Sequence, residues 1–308
     1  MTRAKERLHI SYSEENLQGK PQRRAIFVDE LLESTGLAAQ PKAALPEALL
    51  EAETLRLTEL EAPTIPAQEK ALVDSLLEGF QLSVSALNRY LRCPLSFYYD
   101  QVLRAPELMS EAAHYGTAMH YALQRLFERM KGAKNQAFPP EEALVRFFEQ
   151  EMERRRAHFS RQEHERRLEM GRHNLPDYYR QHHRHKDVML EYRPRLVEMD
   201  GVPLTGSIDK LEFINATTAR IVDYKSGGHG DHKLRRPTPA NPLGGTYWRQ
   251  LVFYKILFES HPATTRRAHS GVISYLDPDP RGKFVEKELV YTAEDVQAVK
   301  EMIRDTYA

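Results

Sequence analysis

The sequence predicts an α/β chain: a small mixed sheet flanked by helices, with a mostly helical N-terminal half. Three observations carry this. Short β-branched and apolar runs gather at 188–225 and 270–291. Helical periodicity fills most of 67–186 and returns at 246–259 and after 292. An Ala-, Pro-, Leu- and Glu-rich stretch at 36–66 and a glycine- and proline-rich one at 226–245 separate these blocks.

Taken in order, 23–34 reads as a short amphipathic helix using Ile26, Leu31 and Leu32, and 36–66 as a linker rich in Ala, Pro, Leu and Glu. Leu72, Val73, Leu76 and Leu77 fall at helical spacing within 67–79. Ser83 or Ser85 caps a helix with Leu87, Tyr90 and Leu91, which Cys93-Pro94 interrupts. Helices are expected at about 113–130, 140–159 and 161–186, the last unusually basic. Strands follow at 188–199, 202–213 and 219–225, with a turn at Asp200-Gly201 and a hairpin connection around Asn215. A helix at 246–259, strands at 270–276 and 284–291, and a helix opened by Thr292 and Asp295 complete the chain.

Composition narrows the class. The 308 residues hold 44 basic and 44 acidic side chains, so net charge does not announce a polyanion partner, although local patches still can. A single cysteine, Cys93, excludes an intramolecular disulfide and fits a reducing compartment. No apolar stretch approaches the ~20 residues needed to span a bilayer, and the N-terminus lacks the apolar core of a signal peptide. The expectation is a soluble cytoplasmic protein with no membrane partner.

The most informative stretch is Arg220-Ile221-Val222-Asp223-Tyr224-Lys225, behind the strand that holds Gly206 and Asp209. Residues two apart in a strand project to one side, so Asp223 and Lys225 point together. Asp209 reaches the same space if the two strands pair. Two carboxylates and a lysine at strand ends suit a hard divalent cation and the activation of water; a surface Asp-Lys pair is the alternative. Glu191 lies in the preceding strand, Gly116 and His120 lie four apart in a helical segment, and Gln250 and Tyr254 share one helix face.

In this order, G-x-x-x-H, a strand Glu, G-x-x-D, D-Y-K and Q-L-x-x-Y resemble the RecB-like branch of the PD-(D/E)XK nuclease superfamily, from about Gln81 to the C-terminus. The resemblance implies a restriction-endonuclease-like core, with domains at 1–35 (the end of a helicase motor), 36–66 (linker) and 67–308 (nuclease, with a helical insertion at about 113–186). It implies catalytic roles for Asp209, Asp223, Lys225, Glu191, Gln250 and Tyr254. Mg²⁺ or Mn²⁺ would be held by His120, Asp209, Asp223 and the carbonyl of Tyr224. Some relatives hold an iron–sulfur cluster beginning at a C-P-x-x-F segment, which Cys93 to Phe97 matches; with no partner cysteines, no cluster is expected here.

Thr2-Arg3-Ala4-Lys5 and the residues after it resemble the last helicase motif of UvrD-like enzymes, yet no phosphate-binding loop G-x-x-x-x-G-K-[ST] occurs. The chain therefore reads as the C-terminal piece of a helicase–nuclease of the AddAB/RecB type. The function this implies is metal-dependent hydrolysis of DNA, single-stranded by expectation and exonucleolytic rather than endonucleolytic, in repair and recombination. A catalytically silent DNA-binding or scaffolding domain is the alternative. Candidate DNA contacts are Arg166, Arg167, Lys233, Arg235 and Arg236. The basic helical run is a phosphate track or a solvated face. Tyr247 and Trp248 either stack on bases or pack in the core. The histidines at 182, 183 and 185 lack the second half of a zinc site.

Overall fold

A computed structural model describes residues 20–22, 24–36, 70–105, 108–182 and 185–307. The helicase-like segment around Arg3 and the linker at 37–66 lie outside these. The chain divides into two compact units, Met1–Ala67 with Phe159–Gln162, and Gln68–His158 with Glu163–Ala308.

In the first unit, helix α1 (Ile26–Thr35) ends at Gly36, whose left-handed backbone (φ 64°) returns its N–H to the Leu32 carbonyl.

In the second unit, α2 (Lys70–Leu77) precedes α3 (Val84–Arg92), which Ser83 caps by accepting from the Ala86 N–H at 3.1 Å. Cys93 turns extended, and Pro94 opens α4 (Pro94–Phe97), which runs into a π-helical turn, Tyr98–Val102. The long helices α5 (Glu111–Gly132), α6 (Glu141–Arg154) and α7 (Arg161–His182) follow; the last begins among residues of the first unit.

The two long strands expected at 188–199 and 202–213 are each broken. The first gives β1 (Val188–Tyr192) and β2 (Val197–Met199), separated by Pro194, which has no N–H for a ladder, and by Leu196 at φ 56°. The second gives β3 (Val202–Leu204) and β4 (Ile208–Phe213), because the chain at Leu204 bridges to Leu82. There Leu82 donates to the Pro203 carbonyl, and Thr205 donates to that of Leu82. β2 and β3 form a separate hairpin, and both residues of its Asp200-Gly201 turn have positive φ, as a two-residue hairpin loop favours.

The main sheet adds β5 (Thr218–Lys225), β6 (Arg267–Tyr275) and β7 (Glu286–Val290) in the order β1-β4-β5-β6-β7. Only β5 and β6 are parallel, and α8 (Thr246–Glu259) makes the crossover between them. The closing helix is α9 (Ala293–Tyr307). Leu211, Ile221 and Ile273 point to one sheet face and form the main core with Leu87, Trp248, Leu251, Phe253 and Val299 from α3, α8 and α9. On the other face Phe127 and Met130 of α5 pack on Val188. The result is a mixed sheet between two helical layers.

Candidate active site

The site forms where the sheet opens. Alternation along β5 sends Asp223 and Lys225 toward α8, and Lys225 Nζ lies 2.8 Å from Asp223 Oδ2. The β4–β5 ladder runs only to the Lys210–Val222 pair. Beyond it, Asp209 Oδ2 accepts the Tyr224 N–H at 2.9 Å, taking the place of a backbone partner. A strand residue projects its N–H and C=O to the same edge, so the Tyr224 carbonyl also opens toward Asp209. On the other side of β4 the register passes from Leu190–Lys210 to Tyr192–Ile208 and leaves Glu191 unpaired at φ 46°, at the level of Asp209. Three carboxylate residues thus occupy one level across three adjacent strands, and the backbone is distorted there.

Helices from both layers reach this opening. α5 comes close because Gly116 has no side chain: a Cβ there would lie 2.7 Å from Ser226 Oγ. One turn later His120 Nδ1 lies 3.5 Å from Asp209 Oδ2, its ring edge-on to Tyr224. From α8, Gln250 Nε2 donates to Asp223 Oδ1 and to the Tyr254 hydroxyl, both at 3.0 Å. Glu191 Oε2 accepts from Ser207 Oγ and from Arg193, each at 3.1 Å. Ser207 and Arg193 were not among the residues singled out by sequence; Ser207, two before Asp209 on the same strand side, carried the available signal.

Burial pushes the Asp223 carboxyl up to about 6, with Asp209 adding repulsion, while Lys225 pulls the other way. Burial also acts upward on Asp209, yet His120, the Tyr224 N–H and Lys225 outweigh it and hold this carboxyl below its usual range. Lys225 and His120 are the counterparts. Burial disfavours their charged forms, but Asp223 for the lysine and Asp209 for the histidine raise both. Lys225 is therefore an ammonium at neutral pH.

Residues 81–308 match the sequence profile of the PD-(D/E)XK nuclease superfamily. The chain belongs to that superfamily. No curated protein matches the sequence. Among solved structures, a candidate exonuclease from Eubacterium rectale is 10% identical, over 78% of this chain and 84% of its own, with a TM-score of 0.44. SSO0001 is 14% identical, over 77% of this chain and 84% of its own, with a TM-score of 0.30. The assignment rests on the family match.

Nucleases of this superfamily generally use divalent metals, and the donors here fit one. Asp223 Oδ2 is sealed from solvent with no donor in hydrogen-bonding geometry, despite its ion pair with Lys225. Asp209 spends Oδ2 on Tyr224 and His120. Among the described residues no three His, Cys, Asp or Glu side chains close into a cage. Mg²⁺ does not require one: it takes one or two carboxylates and keeps several waters.

Several of the other residues named from sequence are held by internal partners. Arg166 and Arg167 both grip the buried Glu163, at 2.8 and 2.6 Å, and Arg167 also covers the Tyr115 ring. Arg236 binds both oxygens of Asp295 and the Val290 carbonyl. Trp248 is fully buried and donates to Asp295 at 2.9 Å, so it packs in the core rather than stacking on bases. Lys233 meets the Tyr247 hydroxyl at 3.4 Å, and Arg235 is exposed. Cys93 is half-buried. His185 faces the Phe213 carbonyl at 3.1 Å, while residues 183 and 184 lie outside the described ones. No helix among the described residues is long and apolar enough to cross a membrane.

Proposed function

We propose that this chain is a Mg²⁺- or Mn²⁺-dependent deoxyribonuclease acting on single-stranded DNA, exonucleolytic in mode, and the nuclease module of a helicase–nuclease in DNA repair and recombination. The observation that carries the reading is the Asp223–Lys225 pair at 2.8 Å beside Asp209, with Gln250 holding the far oxygen of Asp223.

Hydrolysis joins a water oxygen to phosphorus and breaks the bond to the leaving sugar oxygen, which takes up a proton. Asp209, Asp223, His120 and the Tyr224 carbonyl are the groups that would hold a divalent cation, which when bound neutralises phosphoryl charge and makes water more acidic. The protein's own groups do the rest. Lys225, kept charged by Asp223, places an ammonium where negative charge grows on the phosphoryl oxygens. Gln250 and Tyr254 fix the Asp223 rotamer. His120 fixes Asp209, and Glu191, with Ser207 and Arg193, stands ready to orient water at the rim.

The helicase context rests on the resemblance of Thr2 to Ile10 alone, within residues outside the described ones. Because the sequence contains no phosphate-binding loop, digestion is expected to be independent of ATP and poor on blunt duplex. A labelled-DNA digest with metal titration tests the proposal. Product should form from single strands in Mg²⁺ or Mn²⁺ and not in EDTA. No product at any metal concentration, on linear or circular DNA, would favour the silent DNA-binding reading instead.

A further inference from the structure

The segment joining β5 to α8 carries His232, Lys233, Arg235 and Arg236 within five positions. Its one acid, Asp231, is taken by Lys287, and Arg236 is taken by Asp295. Lys233 and Arg235 make no ion pair with a carboxylate among the described residues. With His232, Thr238 and Asn241 they line a cavity of 490 Å³. Asp231 acts on Arg235 at longer range; cations lining one cavity otherwise repel one another, and an anionic ligand relieves that repulsion.

Tyr247 lies between Lys233 and the catalytic lysine. Its ring centre is 5.1 Å from Lys225 Nζ and 5.0 Å from Lys233 Nζ. The two ammoniums are therefore no more than about 10 Å apart, each attracted to the same π system. Lys233 is held in place rather than free on the surface. A Cβ on Gly245 would lie 2.1 Å from the Lys233 carbonyl oxygen, and one on Gly230 would lie 2.9 Å from Lys233 Cδ. Both glycines leave room that only this path of the chain and this side-chain stem fill.

We propose that Lys233 and Arg235 bind a phosphate flanking the scissile one on the same strand, with Tyr247 as the spacer that sets its distance from Lys225. An upper bound of about 10 Å between the two ammoniums suits the scissile phosphate and a near neighbour on the same strand. This rests on the nuclease reading of the site and deepens it. The substrate is a polynucleotide recognised by its neighbouring phosphates, and an isolated phosphodiester lacks half of what the protein binds.

The test compares a labelled single-stranded oligonucleotide with bis(p-nitrophenyl) phosphate, which has one diester and no flanking phosphate. In Lys233→Gln and Arg235→Gln, KM for the oligonucleotide should rise about tenfold with kcat within about twofold, the pattern of lost uniform binding. Hydrolysis of bis(p-nitrophenyl) phosphate should not change, and Lys233→Arg should restore the oligonucleotide KM. Equal loss on both substrates would overturn the proposal, because Lys233 would then act only by supporting Lys225 through Tyr247. Unchanged KM would overturn it too. If the unaltered chain cleaves neither substrate, the nuclease reading fails, and fluorescence anisotropy with the same oligonucleotide still decides the subsite. Affinity about tenfold weaker in Lys233→Gln, with a salt slope smaller by about one, would uphold it. Equal affinity would sink it.

Discussion

Strands β4 and β5 carry a buried ionic cluster on each face, and the two clusters differ in how completely they satisfy themselves. On the α5 face, Glu212 receives Lys210 at 2.8 Å and Arg220 at 2.5 and 2.7 Å, one oxygen for each cation. The Lys210 ammonium is further covered by the Phe127 and Tyr224 rings, at 5.0 and 5.3 Å. Burial acts upward on Glu212, but its two cations hold it below the usual carboxylate range. On the α8 face the same kinds of residue end differently. Asp223 has one cation, Lys225 at 2.8 Å, where Glu212 has two, and burial with repulsion from Asp209 pushes it up to about 6. A cluster that closes on itself fixes strands; one left open, at the place where the ladder also opens, is prepared for a further charge.

The strongest way to break this comparison is to remove one member from each cluster. Asp223→Ala and Lys225→Ala should each lower single-turnover cleavage by at least about a thousandfold, with oligonucleotide affinity nearly unchanged. Full turnover by Lys225→Ala would show that the open cluster is not the reaction centre. Glu212→Ala should do the opposite. It leaves Lys210 sealed in the protein without its counter-charge, a loss of about 3–5 kcal/mol by urea unfolding, while the folded fraction cleaves at the normal rate. If instead Glu212→Ala unfolds at the usual urea concentration but cannot cleave, the division between faces is wrong.

The same comparison shows what the sequence could and could not reveal. Alternation in β5 placed Asp223 beside Lys225, and the short connection at Asn215 paired β4 with β5, so the open cluster was legible from two strands alone. The closed cluster followed from the same rule at the opposite parity, with Lys210 and Glu212 two apart and Arg220 across the ladder, but nothing about such residues separates a buried network from a solvated face. Chain breaks were hidden for a different reason. β3 leaves the sheet to bridge Leu82, a partner more than a hundred residues away in sequence. The fate of Arg236 and Trp248 was hidden likewise, since both end on Asp295, the residue that also caps α9. Capping explained Asp295 fully as a local signal, and its two distant partners left no trace in local pattern.

Acid should separate the clusters by sign. Glu212 has a folded-state pKa below its unfolded value of about 4.3, so its contribution is fully present above that value. It is lost as pH falls through the folded-state pKa. Thermal unfolding measured in metal-free buffer should therefore move to lower temperature as pH drops below about 4.3. In Glu212→Gln, which starts less stable, that acid limb should be shallower, because the amide gains no proton. An identical slope in both proteins would mean that Glu212 is not held as an ion by Lys210 and Arg220.

The smallest expected effect concerns how α5 is registered against the open cluster. Gly116 lies inside a helix, where alanine is favoured by about 1 kcal/mol. Substitution should therefore stabilise the protein unless space forbids it. The added Cβ would lie 2.7 Å from Ser226 Oγ, so one of the two must shift, and the prediction is that α5 gives way rather than the hydroxyl. His120 stands one turn further along at 3.5 Å from Asp209, and that displacement falls on this contact. Gly116→Ala should accordingly keep its melting temperature, or raise it slightly, while kcat falls about three- to tenfold. Ser226→Ala removes the obstructing oxygen, so the double variant should cleave at the rate of Ser226→Ala alone. A Gly116→Ala enzyme with undiminished kcat, or a double variant as slow as the single one, would mean that the close approach of α5 does not set the position of His120.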